Sequence, residues 1–251
     1  MVLDFGNILP TPKMLLQILF LGDSVTMGIG VESDSTFAGH IHHSTDSISV
    51  LNPSLIGYSN ADYLNISRNV IQSDSLSNQI NSTYLFWCLN DIYANEFSTI
   101  GFTSDSILDR LVALFRNHSK LFHFLKATLT DRPKQYFAHD VKFYSESDPN
   151  FKQAIRNLAS IDSIAIENNI PFTIVLLPYE YQLRDDARIT SSPYNVFEKH
   201  LSSEGIKYLN LTDQLSAYKT PSQELYLYGD GIHFSTLGHK LIAEELLKSL
   251  N

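Results

Sequence analysis

Short apolar runs alternate along this chain with longer stretches whose apolar residues recur at helical spacing. The runs fall at 16–21, 47–51, 84–89, 172–177 and 206–211. They read as mainly apolar runs rather than clean alternations, the pattern expected of strands buried on both faces. The clearest helix starts at Asp148-Pro149, a good N-cap followed by proline at the first helical position. Phe151, Ile155, Leu158, Ile161 and Ala165 then return on one face. Gly205 reads as a helix stop directly before the fifth run. A last helix begins near Ser235 and carries Leu237, Leu241, Ile242, Leu246 and Leu247. Strands alternating with helices predict an α/β domain with a parallel sheet covered on both sides.

One region breaks the rhythm. From about 107 to 146 helical patterns follow each other without a strand of the main sheet. Leu108, Leu111, Val112 and Phe115 make one apolar face, and Leu121, Phe122, Phe124 and Leu125 form a second cluster. The segment reads either as a helical insertion packed on the core or as a lid. In the lid reading Phe122, Phe124 and Leu125 bind the acyl part of a substrate.

Composition narrows the function classes. With 251 residues, 43% of them apolar, the chain suits one domain with a sizeable core. A formal net charge of −9 argues against nucleic acid or an anionic membrane as partner. The single cysteine, Cys88, excludes an internal disulfide framework and a thiolate zinc cluster. No apolar stretch approaches the ~20 residues needed to span a bilayer. No export signal is evident, so the expected compartment is the cytoplasm by default.

The candidate chemistry lies at strand ends. Ser24 follows the first run in Gly22-Asp23-Ser24, where an open parallel sheet exposes its ligand-binding edge. A serine needs a base to become a nucleophile. Asp230-Gly231-Ile232-His233, just before the last helix, supplies an imidazole and a carboxylate on one turn. Asp23 is expected to brace its own turn. His239 is expected to be structural or solvated. His40, His42 and His43 belong on or near the helix after Ser24, and no metal site is expected from them. Acyl transfer also needs donors to an oxyanion. Gly57, after the second run, can offer its N–H, and Asn90, after the third, its side-chain amide; the alternative reading is a turn glycine for Gly57 and a helix cap for Asn90-Asp91.

Together Gly22-Asp23-Ser24, Gly57, Asn90-Asp91 and Asp230-x-x-His233 resemble the four sequence blocks of the GDSL/SGNH hydrolases, in the same order and from about 16 to 250. The resemblance implies a flavodoxin-like three-layer α/β/α sandwich with a five-stranded parallel sheet. It implies a single SGNH-hydrolase-like domain over 1–251. It further implies a triad of Ser24, Asp230 and His233, and an oxyanion hole of the Ser24 N–H, the Gly57 N–H and Asn90. No cofactor is implied. One departure is Cys88, where the family's third block usually has glycine. The α/β-hydrolase motif Gly-x-Ser-x-Gly is not met, because Thr26 stands at its second glycine.

The function this implies is serine-dependent hydrolysis of a carboxylic ester, with a small-molecule or carbohydrate O-acyl substrate. Two other readings remain open: an O-acyltransferase using the same triad, and a non-catalytic binding module with the same fold.

Overall fold

The computed structural model describes residues 16–72, 79–93, 131–184 and 192–250. Five strands form one sheet in the order β2-β1-β3-β4-β5: β1 Leu16–Leu21, β2 Ile48–Leu51, β3 Ile80–Trp87, β4 Phe172–Leu176 and β5 Tyr208–Asn210. Every pairing is parallel. All five expected strands are present; β1 keeps its expected bounds and the other four have shifted ends. β3 starts earlier because polar Asn81 takes part in the pairing, its Oδ1 accepting the Gln17 N–H at 2.7 Å. It ends earlier because Leu89–Ile92 turns into a tight 3-10 helix. β5 is shorter because the Ile206 N–H turns back to Leu201 O of the preceding helix.

The helices are α1 Ser24–Met27, α2 Phe37–Ser44, α3 Asn60–Ile71, α4 Arg132–Asp140, α5 Pro149–Glu167, α6 Pro193–Ser203, α7 Thr212–Ser216 and α8 Thr236–Leu250. α5 begins as its sequence demands: Asp148 accepts the Asn150 N–H at 2.7 Å and Pro149 occupies the first turn. α6 stops before Gly205, whose φ is +74°.

Alternation along β3 shows how the layers are divided. Phe86 meets Phe20 of β1 and Phe37 of α2, with ring centroids 4.7 and 4.5 Å away. Its neighbour Trp87 faces the other side, where it stacks on Phe197 of α6 at 4.8 Å. Phe197 in turn meets Phe151 of α5. α2 and α8 therefore cover one face, and α5 and α6 the other, with α3 packed on α5. This is the expected three-layer α/β/α arrangement. Each fully buried aromatic ring of this kind stabilises by roughly 1.5–3 kcal/mol.

In a sheet of this order the strand sequence reverses between β1 and β3, which opens a crevice at their carboxyl ends. Residues 94–130 lie outside the described residues, and with them most of the expected insertion, including Phe122, Phe124 and Leu125. Its remainder contains α4. Among the described residues no helix is long and apolar enough to cross a membrane.

Candidate functional site

Both crevice-forming strands end in turns that hold a polar side chain at the opening. After β1, Asp23 caps α1 by accepting the Val25 N–H at 2.9 Å, and Ser24 becomes the first helical residue. After β3, Asp91 takes the Cys88 N–H at 2.6 Å and the Tyr63 hydroxyl at 2.5 Å. With Asp91 drawn into the core, its neighbour Asn90 turns toward β1, and Asn90 Nδ2 donates to Asp23 Oδ2 at 3.1 Å.

The third turn precedes α8. Asp230 Oδ1 accepts the backbone N–H groups of Ile232 and His233 at 2.9 and 2.8 Å. The same carboxylate faces His233 Nδ1, at 3.0 and 3.1 Å from its two oxygens. A carboxylate only accepts, so Nδ1 carries the proton and Nε2 is left as acceptor. His233 Nε2 lies 2.8 Å from Ser24 Oγ. The serine is 6% exposed, which shields this contact from bulk water.

Electrostatics follow from this placement. Burial works against the charged imidazolium of His233, but the hydrogen bond and charge of Asp230, helped by Asp23, outweigh it and raise its pKa. Burial likewise opposes the Asp230 carboxylate, yet its bond to His233 wins and lowers its pKa. Asp23 is the opposite case: burial dominates its hydrogen bonds and raises its pKa.

Gly57 sits on the turn between β2 and α3 with φ +85°, and its N–H makes no hydrogen bond among the described residues. Asn52, at the base of the same turn, donates to Thr26 O at 2.9 Å, tying this loop to the Ser24 turn. Hydrogen bonds thus join Ser24, Asp23, Asn90, His233 and Asp230, whereas Gly57 stands on the adjoining loop. Asp23 does brace its turn, as expected, but its second oxygen also lies 3.3 Å from Ser24 Oγ. Cys88 is buried beneath the site, and burial together with Asp23 and Asp91 pushes its thiol well up, so it is no thiolate.

The other histidines fall elsewhere. His239 is structural: it is 1% exposed, and its Nδ1 accepts the Phe37 N–H at 3.2 Å, serving the start of α2. Burial lowers its pKa to about 4. His40, His42 and His43 lie on α2. His43 faces Asp34 at 3.4 Å, and His42 Nδ1 accepts the Val50 N–H. Among the described residues no group of three or more His, Cys, Asp or Glu side chains is placed to hold a metal.

Two supports escape a reading of the sequence. Glu180, just beyond β4, donates its N–H to Gly231 O at 2.9 Å. The Glu180 carboxylate is itself held by Arg184, which also binds Asp131 at the start of α4. Tyr179 places its hydroxyl 3.1 Å from Asn90 Oδ1. Both follow the carboxyl end of β4, and that position is the signal that could have drawn attention to them.

No protein-family model matches the chain, and neither does the sequence of any curated protein. Solved structures do match. An acetyl xylan esterase, AlAXEase, superposes with a TM-score of 0.56 at 13% identity, covering 94% of this chain and 100% of that one. A lipase/acylhydrolase from Enterococcus faecalis gives 0.52 at 16% identity, covering 94% and 95%. A member of the lipolytic protein G-D-S-L family from Veillonella parvula gives 0.52 at 14%, covering 93% and 97%. At such identities the likeness speaks for the fold, and by it this chain has the α/β fold of the GDSL/SGNH lipolytic hydrolases.

Proposed function

We propose that this protein is a serine-dependent carboxylic ester hydrolase of the GDSL/SGNH type, acting through an acyl-enzyme on Ser24. The reading rests above all on the continuous path from Ser24 Oγ through His233 to Asp230, with contacts of 2.8 and 3.0 Å. In this reading residues 1–251 form one SGNH-hydrolase-like unit, with about 107–146 inserted between β3 and β4.

The chemistry then runs as follows. His233 Nε2 takes the Ser24 proton as Oγ attacks the ester carbonyl carbon. Asp230 holds the imidazole in the correct tautomer and stabilises its charged form. The new oxyanion is met by the Ser24 N–H, the Gly57 N–H and the Asn90 side chain. An amide nitrogen carries two hydrogens, so Asn90 can hold Asp23 with one and offer the other. Imidazolium protonates the departing alkoxide, and water, deprotonated by His233, releases the acid in a second round. No metal or organic cofactor takes part in this sequence.

Large apolar side chains flank the three turns. Met27, Leu55, Ile56 and Tyr228 are 43%, 48%, 58% and 69% exposed, and each lies within three residues of Ser24, Gly57 or Asp230. They favour an ester with some apolar surface. The structural neighbours are in keeping with ester substrates, being themselves an acetyl xylan esterase and acylhydrolases.

The test is turnover of p-nitrophenyl acetate, butyrate and octanoate by the purified chain, with Ser24→Ala as control. Release of nitrophenolate by the wild type and none by the variant is expected. Equal release by both would remove the reading. Adding an acetylated xylan and a free sugar acceptor distinguishes hydrolysis, which liberates acetate, from acyl transfer to the sugar.

A further inference from the structure

Asn90 is held at both ends of its amide. Nδ2 donates to Asp23, while Oδ1 accepts from the Tyr179 hydroxyl at 3.1 Å. Tyr179 is fully buried, and its hydroxyl also reaches Asp140 Oδ2 at 2.7 Å. Asp140, the last residue of α4, receives the Tyr93 hydroxyl at 2.8 Å and faces His139 Nδ1 at 2.9 Å. A buried carboxylate needs such partners, and Asp140 has three.

Building on the oxyanion role read for Asn90 above, we propose that Tyr179, held in place by Asp140, is a positioning residue that fixes which end of the Asn90 amide faces the reacting carbonyl. The terminal torsion of asparagine is broad and roughly twofold, so its nitrogen and oxygen ends exchange easily unless something distinguishes them. The exchange matters here. With Nδ2 at the site the amide stabilises a developing oxyanion, and with Oδ1 there it repels one. Asp23 accepts from the nitrogen end and Tyr179 donates to the oxygen end, so both select the same orientation.

The phenol has one proton and two acceptors. Asp140 has Tyr93 and His139 besides, whereas among the described residues Tyr179 is the one donor to Asn90 Oδ1. Burial, reinforced by the Asp140 charge, pushes the Tyr179 pKa well above its ordinary value, so the hydroxyl keeps the proton it must donate. That proton is shared as a bifurcated bond, so Asp140 Oδ2 accepts part of it and thereby holds the hydroxyl in place while Asn90 Oδ1 accepts the rest. Through Asp140, α4, which lies within the expected insertion, is connected to the oxyanion donor.

The experiment is a double-mutant cycle on the full chain with p-nitrophenyl acetate, measuring kcat and KM for Tyr179→Phe, Asn90→Ala and the pair. One lost hydrogen bond of this kind is worth a factor of about 5–20. Tyr179→Phe is expected to lower kcat by that factor with KM changed less than about twofold, and to have no further effect once Asn90 is alanine. Wild-type kcat in Tyr179→Phe, or the same loss in the Asn90→Ala background, would overturn the inference. If Tyr179→Phe does not fold, Asp140→Asn goes through the same cycle, with a smaller kcat loss expected that again vanishes without Asn90. An active protein in which Asn90→Ala itself is silent would overturn both this inference and the oxyanion assignment. Failure of the tyrosine and aspartate variants alone leaves the hydrolase reading standing.

Discussion

Ser24 Oγ and His233 Nε2 are 2.8 Å apart, although 209 residues separate them along the chain. The sheet makes this meeting possible. β1 delivers Ser24 to the crevice, and the segment before α8 brings His233 back over it. If this contact carries the chemistry, Ser24→Ala and His233→Ala should each cost on the order of 10⁶ in kcat while circular dichroism stays native. His239 should behave in the opposite way. Its removal leaves the Phe37 N–H unsatisfied and opens a cavity, so His239→Ala should lower Tm while kcat stays near wild type. Loss of kcat without loss of Tm in His239→Ala would contradict this division.

Asn90→Ala should lower kcat by about 10²–10³, the usual loss for one oxyanion donor. KM should move far less, because the contact strengthens in the transition state. Steady-state kinetics on acetate and butyrate esters provide the check, and a rise confined to KM would make Asn90 a ground-state binding group.

The acid limb of kcat/KM should titrate above the ordinary histidine value of ~6.5, because Asp230 raises the His233 pKa. Activity needs neutral His233, so it falls as pH drops through that raised value. Stability has the reverse sign for the same group. Protonated His233 is favoured by folding, so its contribution is complete below ~6.5 and fades as pH rises through the folded-state pKa. Asp230 contributes above the ordinary carboxylate value and loses its contribution as pH falls through its lowered pKa. In Asp230→Asn the acid limb of the pH–rate profile should shift downward. An unchanged limb would place the titrating base elsewhere.

His239 gives acid sensitivity of another kind. Its folded pKa of about 4 lies below the unfolded ~6.5. Folding therefore disfavours its protonation, and stability should fall as pH drops from ~6.5 toward 4, by a total on the order of 3 kcal/mol. Urea denaturation across that range should show a shallower decline in His239→Gln.

Gly231→Ala should damage the Asp230–His233 turn. Gly231 has φ +79°, and a Cβ added there would lie 2.3 Å from Pro133 Cγ. The expected outcome is a lower Tm together with a kcat loss larger than the change in KM. Wild-type kcat in a well-folded variant would show that the turn tolerates displacement.

Much of the frame is legible in the sequence because its signals are local. β1, Leu16–Leu21, is apolar at every position but Gln17 and folds as one strand. Ser24 and the Asp230–His233 pair each stand beside a readable strand or helix end. What is not legible depends on distant partners. Nothing near Tyr179 in sequence indicates that its hydroxyl reaches Asn90, because their 89-residue separation is closed only by pairing β3 with β4. The double use of Asp23, as cap and as acceptor for Asn90, is hidden for the same reason. His239 sits on an amphipathic helix whose face is readable, but its acceptor role depends on where α2 docks.

The most direct test of the proposed nucleophile is covalent trapping. The purified chain would be treated with a fluorophosphonate, and the intact mass and peptide map recorded. One adduct, located on Ser24, absent in Ser24→Ala and strongly slowed in His233→Ala, is the expected result. An enzymatically active protein that forms no adduct, or forms it on another residue while Ser24→Ala keeps its activity, would contradict the assignment.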